Sequence, residues 1–423
     1  MSEERESASS SAALADAAPA AASQAPETTS YRAPTKLIHS PTLLPNLYRS
    51  LWFRRVGGFI RDVSFAVQQT AIDDVTVSHP VCARLIEWFN EAKGWVAEIP
   101  LVKQASRFGN LAYRTWHERM VTHSLQLMHD LIRRGTHTQT QRSGDADVED
   151  TSSQLDERAQ LLATELQGYF KEAFGNYTRI DYGTGHELTF VSFLTALLSA
   201  GLVTNSELKC LGLSVMNAYL QLVRELQTVY MLEPAGSKGA WGLDDYQFLP
   251  FLWGCAQFLG STTVTAPSVV FNDREVRQAW TGRNLLVDAI NFVEKVKTGP
   301  LEVHSPYLYS LSKVPTWERA TKGLFKMYGG EVLSKFPVMQ HVLFGGLLPI
   351  DEAPAEVVSS PPGTESDAKS DSTQQTMLGS GTPEPNHQLI SLFAIPIEAL
   401  QGTSPEGMMF TSTKMPESRM PGR

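Results

Sequence analysis

Residues 179–203 read RIDYGTGHELTFVSFLTALLSAGLV, and this stretch decides the fold. Its second part, residues 187–200, is apolar on nearly every side of a helical projection, which predicts a helix at the centre of the molecule. The apolar run over residues 188–203 is about 16 residues long and carries Thr and Ser. A helix that spans a bilayer needs about 20 apolar residues. We therefore expect a core helix and no contact with a membrane.

The patterns on both sides of this stretch are helical too. Apolar residues recur at helical spacing over residues 82–99, with Ser78 before them and Pro80 near the first turn, a common start of a helix. Further helices are predicted over residues 111–132, 155–174, 207–230 (with a cap at Asn205 or Ser206), 275–297 and 316–328. We find neither a series of alternating strand-like runs nor a repeat of fixed length. The predicted fold class is all-α, as a single body of many helices.

Composition divides the chain into a head, a body and a tail. The head, residues 1–34, and the tail, residues 351–423, are poor in large apolar side chains. Such segments bury too little surface to offset the entropy of ordering, so we predict a disordered head and a mostly disordered tail. An apolar island at residues 389–400 fits either a docking segment or a piece that folds back onto the body. The body, residues 35–350, is the predicted domain, with a mobile acidic loop at residues 135–153.

Charge and cysteine usage exclude several classes of protein. The net charge of −9 argues against a nucleic-acid-binding protein, which needs a basic surface. The three cysteines, at positions 82, 210 and 255, are too few and too far apart for a metal site or a disulfide framework. We expect buried thiols in a reducing compartment. The acidic N-terminus lacks the features of a secretory signal, so the expected location is cytoplasmic.

The first candidate site is the glycine turn at the start of the central helix. Gly183 and Gly185 allow backbone angles that are closed to other residues. A glycine turn at a helix N-terminus presents free N–H groups and a partial positive charge, which suit a phosphate, and Arg179 can add a bidentate contact. The same residues also fit a tight interhelical turn without a ligand. The turn is not a Walker A loop, since no Gly-Lys-Ser/Thr follows.

The second candidate site is the loop at residues 233–250, EPAGSKGAWGLDDYQFLP. Its adjacent carboxylates, Asp244 and Asp245, offer hard oxygen ligands for Mg²⁺. Asp244 also fits the cap of the helix that follows, and one carboxylate can cap while the other binds metal. Three aromatic residues of the loop fit either the wall of a groove for an apolar peptide or the core: Trp241, Tyr246 and Phe248.

The third candidate site is residues 335–349, KFPVMQHVLFGGLLP. Gln340 and His341 stand inside an apolar run, where polar groups need hydrogen-bond partners. A histidine in such a place fits a satisfied core group as well as a functional one. The sequence contains neither a metalloprotease histidine pair nor a Gly-x-Ser-x-Gly elbow.

Together these segments resemble the phosphotyrosyl phosphatase activator family, also called phosphatase 2A activators. The matching stretches are residues 107–116 (RFGNLAYRTW), 179–187, 233–250, 304–305, 314–317 and 336–349. They run in family order over the whole body, and the stretch at 233–250 is highly specific. Tyr309 stands where the family pattern has Trp, and Lys238 adds a positive charge inside the glycine loop. The tail resembles that of fungal members.

The resemblance implies an all-α body of core, linker and lid subdomains. It implies that this body binds the catalytic subunit of a type 2A or 2A-like protein phosphatase, with ATP and Mg²⁺ in a shared cleft. The ATP contacts that it implies are Arg179, Thr184, Gly185, Gln340, His341 and Val342. The metal contacts that it implies are Gly239 and Asp245. The resemblance thereby gives the polar pair at 340 and 341 a role in binding ATP. It also adds the nucleus to the expected locations of the protein.

The activity implied by the resemblance is that of a peptidyl-prolyl cis/trans isomerase that activates the phosphatase as a chaperone. Its substrate would be a proline-containing segment of the phosphatase. Rotation about such a bond needs neither a nucleophile nor a triad, so no catalytic residue is assigned. The main alternative is an ATP-dependent scaffold or assembly factor whose isomerase activity is incidental. A freestanding ATPase is a third reading, for which we find no residue to position the attacking water.

Overall fold

Helices dominate the computed structural model, which describes residues 30–106, 108–143 and 152–351. The α-helices are α1 Leu44–Arg49, α2 Leu51–Ala66, α3 Pro80–Glu98, α4 Ala112–Ser143, α5 Ser152–Lys171, α6 Thr184–Ser199, α7 Leu208–Cys210, α8 Met216–Val229, α9 Leu249–Gln257, α10 Pro267–Asn272, α11 Arg274–Ala279, α12 Leu285–Val296, α13 Leu301–His304, α14 Pro306–Tyr309, α15 Trp317–Tyr328 and α16 Phe336–Met339. The strands have two residues each: β1 Thr35–Lys36, β2 Asp181–Tyr182, β3 Glu233–Pro234 and β4 Leu343–Phe344. The predicted all-α class is confirmed, and the division into core, linker and lid stays a prediction.

The apolar helix α6 lies in the core, as its pattern predicts. Nearly all of its side chains are buried, and it packs against α2 and α5. On α6, Phe190 stacks on Tyr219 of α8 with the ring centroids 3.7 Å apart, and Phe193 meets Phe170 of α5 edge-on at 5.0 Å. A helix that is apolar on all sides is stable only when neighbours cover every side, and these rings provide the cover.

The two ends of the body meet in a short ladder. Strand β1 pairs antiparallel with β4, with Thr35 opposite Phe344. The first amides of α2 are satisfied from the same end of the chain, since the N–H of Trp52 donates to Pro349 O at 2.9 Å. The beginning and the end of the domain are thus held by backbone bonds.

A buried carboxylate on α5 fastens this junction. Glu165 is fully buried and accepts the N–H of Arg32 at 3.0 Å and that of Leu347 at 2.7 Å. A Cβ on Gly345 would collide with this carboxylate, and one on Gly346 would collide with the backbone of Ser30. The two glycines therefore allow the chain to pass close to Glu165.

The predicted boundary of the head needs correction. The prediction of disorder over residues 1–34 is wrong for residues 30–34. Tyr31 is buried under the guanidinium of Arg158, and Pro34 fills the space left by Gly168 of α5. These apolar contacts offset the entropy of ordering a short arm. Residues 1–29, the tail beyond Asp351 and its apolar island at 389–400 lie outside the described residues.

The bounds predicted for the mobile loop, residues 135–153, are wrong at both ends. Helix α4 continues to Ser143 and α5 begins at Ser152, and residues 144–151 lie outside the described residues. Gly135, where the loop was expected to begin, is inside α4, and a Cβ there would lie 2.8 Å from Cδ2 of Leu202. The glycine marks a close helix contact and does not end the helix.

The helix predicted over residues 275–297 is wrong as a single element. The chain forms α11 and α12 with a turn between them. Gly282 in this turn has φ of +76°, and the side chain of Asn284 accepts the N–H of Leu286 at 2.9 Å as the cap of α12. The cap predicted at Asn205 or Ser206 is provided by Thr204, which forms a capping box with Glu207.

Two further predictions concern single features. Within the described ranges, no helix is long and apolar enough to cross a membrane. Cys82, Cys210 and Cys255 are free and buried, as predicted.

Candidate functional site

The glycine turn joins two of the candidate segments. Strand β2, just before the turn, pairs parallel with β3, and the N–H of Ala235 donates to Tyr182 O at 2.8 Å. A Cβ on Gly183 would lie 3.1 Å from Cβ of Ala235 and closer still to its carbonyl oxygen. Glycine at 183 therefore permits the close approach of the loop at 233–250.

The N-terminus of α6 emerges at this junction. Gly183 is the N-cap residue, and its carbonyl accepts the N–H of His186 at 2.9 Å. Thr184 and Gly185 form the first turn and are partly exposed. The first amides of a long helix carry partial positive charge, so this end can receive an anion. Arg179 is about half exposed beside it, and its Nε donates to Asp181 Oδ2 at 2.6 Å.

Helix α16, which ends just before Gln340 and His341, lies beside the start of α6. A Cβ on Gly185 would lie 3.6 Å from Cγ1 of Val338 on α16, so α16 lies against the first turn of α6. Burial lowers the pKa of His341, and the positive charges of Lys36 and Arg179 lower it further.

The side chains of this pair are not core groups. His341 is exposed, and Gln340 is partly exposed with its Nε2 donating to Pro337 O at 3.2 Å. Val342, next in the chain, is buried. The reading of Gln340 and His341 as buried polar residues is wrong, because the short helix α16 turns them outwards. Their assignment as ATP contacts stays a prediction.

The two predicted metal contacts are joined by a serine. Ser237 Oγ donates to Asp245 Oδ1 at 2.5 Å and accepts the N–H of Gly239 at 2.9 Å. Gly239 has φ of +55°, a left-handed angle that favours glycine. The loop thus folds so that Gly239 and Asp245 lie on either side of one hydroxyl.

Asp245 already forms an ion pair with a lysine of the same chain. Its Oδ2 is 2.7 Å from Nζ of Lys297. Burial raises the pKa of Asp245, but the hydrogen bonds from Lys297 and Ser237 outweigh burial and hold this pKa below its usual value. Among the described residues, no group of three or more His, Cys, Asp or Glu side chains is placed to hold a metal ion. Asp245 fits Mg²⁺ as a single anionic ligand, provided that Lys297 moves away.

Lys238 does not add free charge to the site. Its ammonium pairs with Glu331 in the π-helical segment Gly329–Leu333. The extra lysine in the glycine loop is therefore compensated by a carboxylate of this chain, and it ties the loop to the segment that follows α15.

The aromatic residues of the loop divide between the two expected roles. Phe248 is buried and meets Tyr328 edge-on with ring centroids 5.1 Å apart, so it belongs to the core. Tyr246 is anchored by its hydroxyl, which donates to Leu232 O at 2.7 Å. Trp241 is 77% exposed, the largest exposed fraction among the large apolar side chains that the structure describes. Only Trp241 of the three is free to contact a peptide.

Two carboxylates organise the end of the loop. Asp244 Oδ2 accepts the N–H of Tyr246 and that of Gln247, both at 2.9 Å. Asp244 therefore caps the turn at residues 246 and 247 and not, as predicted, helix α9. The first amides of α9 are bonded instead by Glu187 of α6. Glu187 Oε2 accepts the N–H of Phe248 at 2.9 Å and that of Leu249 at 3.2 Å.

Glu187 is a residue that sequence reasoning missed. It lies one turn after Thr184 and is fully buried; the sequence places it at the end of the glycine segment and the start of the apolar helix, and assigns it no role. A glutamate that opens an otherwise apolar helix is the one signal that could have marked it, since a buried carboxylate needs partners.

We expect Glu187 to give the protein a distinctive stability profile with pH. Burial raises the pKa of Glu187 to about 8. The negative charge of Asp244 raises this pKa as well, whereas the hydrogen bonds from the two amides and the positive charge of Arg224 lower it. Between the ordinary glutamate pKa and about 8 the folded state binds more protons than the unfolded one, so stability falls as pH rises through this window. The loss should be on the order of a few kcal/mol.

The measurement is thermal unfolding from pH 5 to 9, for the wild type and for Glu187→Gln. Glutamine has the shape of the neutral acid, so the variant should lose less stability than the wild type as pH rises. Parallel profiles for the two proteins would contradict the assignment of this titration to Glu187.

The comparisons with known proteins identify the family of the chain. A family model described as "Phosphotyrosyl phosphate activator (PTPA) protein" matches residues 34–350. The chain belongs to this family. This match confirms the resemblance drawn from the sequence.

Similar proteins occur in animals and fungi. The serine/threonine-protein phosphatase 2A activator of Drosophila melanogaster is 37% identical over 300 residues, which are 71% of this chain and 69% of that protein. Activator 1 of Schizosaccharomyces pombe is 34% identical over 328 residues, 77% of this chain and 93% of that protein. The crystal structure of the PP2A phosphatase activator Ypa1 matches with a TM-score of 0.65 and 27% identity, over 79% of this chain and 100% of that chain.

Proposed function

We propose that this protein activates type 2A serine/threonine phosphatases by remodelling their catalytic subunit in an ATP- and Mg²⁺-dependent manner. The relatives named above are phosphatase 2A activators, which supports the client class. The observation that carries the proposal is the convergence of three sequence segments at the start of α6: the glycine turn, the loop at 233–250 and helix α16, which ends just before the polar pair.

The nucleotide would bind across the start of α6. Thr184 and Gly185 stand in the first turn of α6, at the positive end of the helix dipole, and are partly exposed; Arg179 precedes the glycine turn and is about half exposed. Gln340 and His341, which follow α16 and are at least partly exposed, would offer hydrogen-bonding groups to the nucleotide beside the buried, apolar Val342. An arginine suits a phosphate because its fork can give two bonds at once, but Nε and Nη2 of Arg179 donate to Asp181 at 2.6 and 3.2 Å, so a phosphate would have to share or displace this pair.

Magnesium would be held by Asp245 and the backbone of Gly239. Magnesium usually takes one or two carboxylates and completes its shell with phosphate oxygens and water, so one aspartate is enough when a nucleotide is present. The ion would neutralise phosphate charge at the loop. Ser237 would keep its place between the two ligands, and Lys297 would release Asp245.

The isomerase activity would use the loop surface around Trp241. The barrier to rotation about a peptide bond is about 20 kcal/mol. A surface that excludes water and binds the twisted X–Pro bond lowers this barrier without a nucleophile. Trp241 is exposed on the loop, and α14 lies beside its 3₁₀ turn Gly239–Trp241. An exposed indole is the expected partner of a proline ring.

We expect Trp241→Ala to slow isomerisation of a proline-containing peptide by about tenfold or more, which is the usual scale for truncating a tryptophan at a contact. The loss of an exposed side chain should leave the melting temperature unchanged. Reactivation of an inactive type 2A catalytic subunit with ATP and MgCl₂ is measured in parallel. Leu161→Ala, which removes another exposed apolar side chain on α5, is the control.

The two assays distinguish the proposal from its alternative. Loss of both activities in Trp241→Ala supports an isomerase mechanism. Loss of isomerisation with full reactivation supports an ATP-dependent scaffold or assembly factor. A wild-type protein that fails to reactivate any type 2A-like catalytic subunit would contradict the proposed function itself.

A further inference from the structure

Four consecutive amides at the end of the loop are held by two carboxylates. Asp244 takes those of residues 246 and 247, and Glu187 takes those of residues 248 and 249. The start of a helix leaves its first amides without partners inside the helix. The N-cap position of α9 is Phe248, whose side chain cannot accept a hydrogen bond. Glu187 therefore supplies a cap that the loop itself lacks.

The position of Glu187 connects this cap with the nucleotide cleft. Glu187 follows Thr184 by three residues, so one turn of a rigid, buried helix separates the two. Asp245 lies one residue before the amides that Glu187 and Asp244 hold. A shift of the first turn of α6 would thus be passed to the residue proposed to bind Mg²⁺.

We propose that Glu187 is a positioning residue that links the nucleotide cleft at the start of α6 to residues 246–249, so that nucleotide binding tightens the segment that follows Asp245. The inference rests on the proposed nucleotide site. It goes beyond that site because it assigns the coupling between the start of α6 and residues 246–249 to one side chain, Glu187, which is not proposed to contact ATP or the metal.

The surroundings of Glu187 favour a linking role over a simple cap. Its carboxylate is fully buried, so water cannot replace it. Two buried polar atoms of Arg224, Nε and Nη2, make no hydrogen bond in the structure, and neither does the hydroxyl of Tyr328. Burial lowers the pKa of Arg224, and the charges of Asp244 and Glu187 are among those that oppose the shift. Such incompletely paired groups can change partners when the helix moves.

The test is hydrogen–deuterium exchange of the amides at 246–249, with and without ATP and MgCl₂. In the wild type we expect the nucleotide to slow this exchange. Glu187→Met removes both acceptor oxygens at similar length, so exchange at 248 and 249 should accelerate about ten- to a hundredfold, and the effect of the nucleotide should vanish. Glu187→Gln keeps one acceptor oxygen and should retain the nucleotide effect.

The control is Glu165→Met, which removes the other fully buried glutamate that accepts backbone amides. It should lower stability and leave the nucleotide effect at 246–249 intact. If Glu187→Met does not fold, Glu187→Asp withdraws the carboxylate by one methylene and should lose the coupling in the same way. Binding of ATP, measured by calorimetry, should stay within about threefold of wild type in the Glu187 variants, because the amides of the cradle are backbone groups.

Two results would overturn different claims. If a Glu187→Met or Glu187→Asp protein that binds ATP still shows the nucleotide effect at 246–249, the positioning role is wrong. If the wild type binds no ATP by calorimetry, the proposed nucleotide site is wrong, and the positioning role falls with it.

Discussion

Asp245→Asn should reduce ATP-dependent activation of the phosphatase by about a hundredfold or more, on the scale of removing one partner of a close charge pair. Asparagine keeps the shape of the side chain and can still accept the hydrogen bond from Ser237, but it lacks the charge that Mg²⁺ requires. The fold should remain, because Asp245 is partly exposed and its neighbours Ser237 and Lys297 can reach water. The measurement is reactivation of the catalytic subunit over a range of MgCl₂ concentrations, with thermal unfolding beside it.

Lys297→Gln provides the decisive control for this prediction. If Asp245 serves only the ion pair, both substitutions remove the same bond and should have the same small effect. If Asp245 binds Mg²⁺, removal of its competitor Lys297 should leave activation intact or lower the MgCl₂ concentration that it needs. Equal losses in the two variants, or undiminished activation by Asp245→Asn, would refute the metal role.

Gly254→Ala should destabilise the protein by at least about 3 kcal/mol, at the upper end of overpacking substitutions. Gly254 is buried in α9 where α12 crosses it, and a Cβ there would lie 2.7 Å from Cα of Leu286 and closer still to its backbone nitrogen. The obstacle is the backbone of α12, which cannot rotate away as a side chain can. Asn284, the cap of α12, also donates to Gly254 O at 3.0 Å, so a displaced helix loses this bond.

Thermal and denaturant unfolding, followed by circular dichroism, measure this loss. The control is Gly94→Ala, one turn before the end of α3, where nothing lies within 4 Å of the new methyl group. That variant should be more stable than the wild type by up to about 1 kcal/mol, the difference in helix propensity between alanine and glycine. A Gly254→Ala protein as stable as Gly94→Ala would show that α9 and α12 are not packed as described.

The helical architecture was predictable because it is local. The apolar character of α6 and the spacing of apolar residues in α3 and α15 reflect a periodicity that each helix carries in its own residues. The family resemblance then brought together three segments that lie far apart in the chain. Their convergence at the start of α6 agrees with the structure, whereas the nucleotide and metal contacts assigned to them stay predictions.

The remaining features depend on partners distant in sequence. Gly135 suggests a break until Leu202 is known to pack against it, and Asn284 is recognisable as a cap only once α11 ends before it. Glu187 is the clearest case, since its bonds to residues 248 and 249 cross about sixty positions of chain. No window of sequence around Glu187 contains the amides that it holds.

The ladder between Thr35 and Phe344 has a consequence for biosynthesis. These partners are separated by nearly the whole length of the domain, so almost all of the domain must leave the ribosome before β1 can pair with β4. Closing so long a loop is entropically costly and slows the final step of folding. A chain that stops short of Leu343 lacks the partners of Thr35 and Lys36, so its amino-terminal arm should be held more weakly by α5 alone and be cut earlier by proteases.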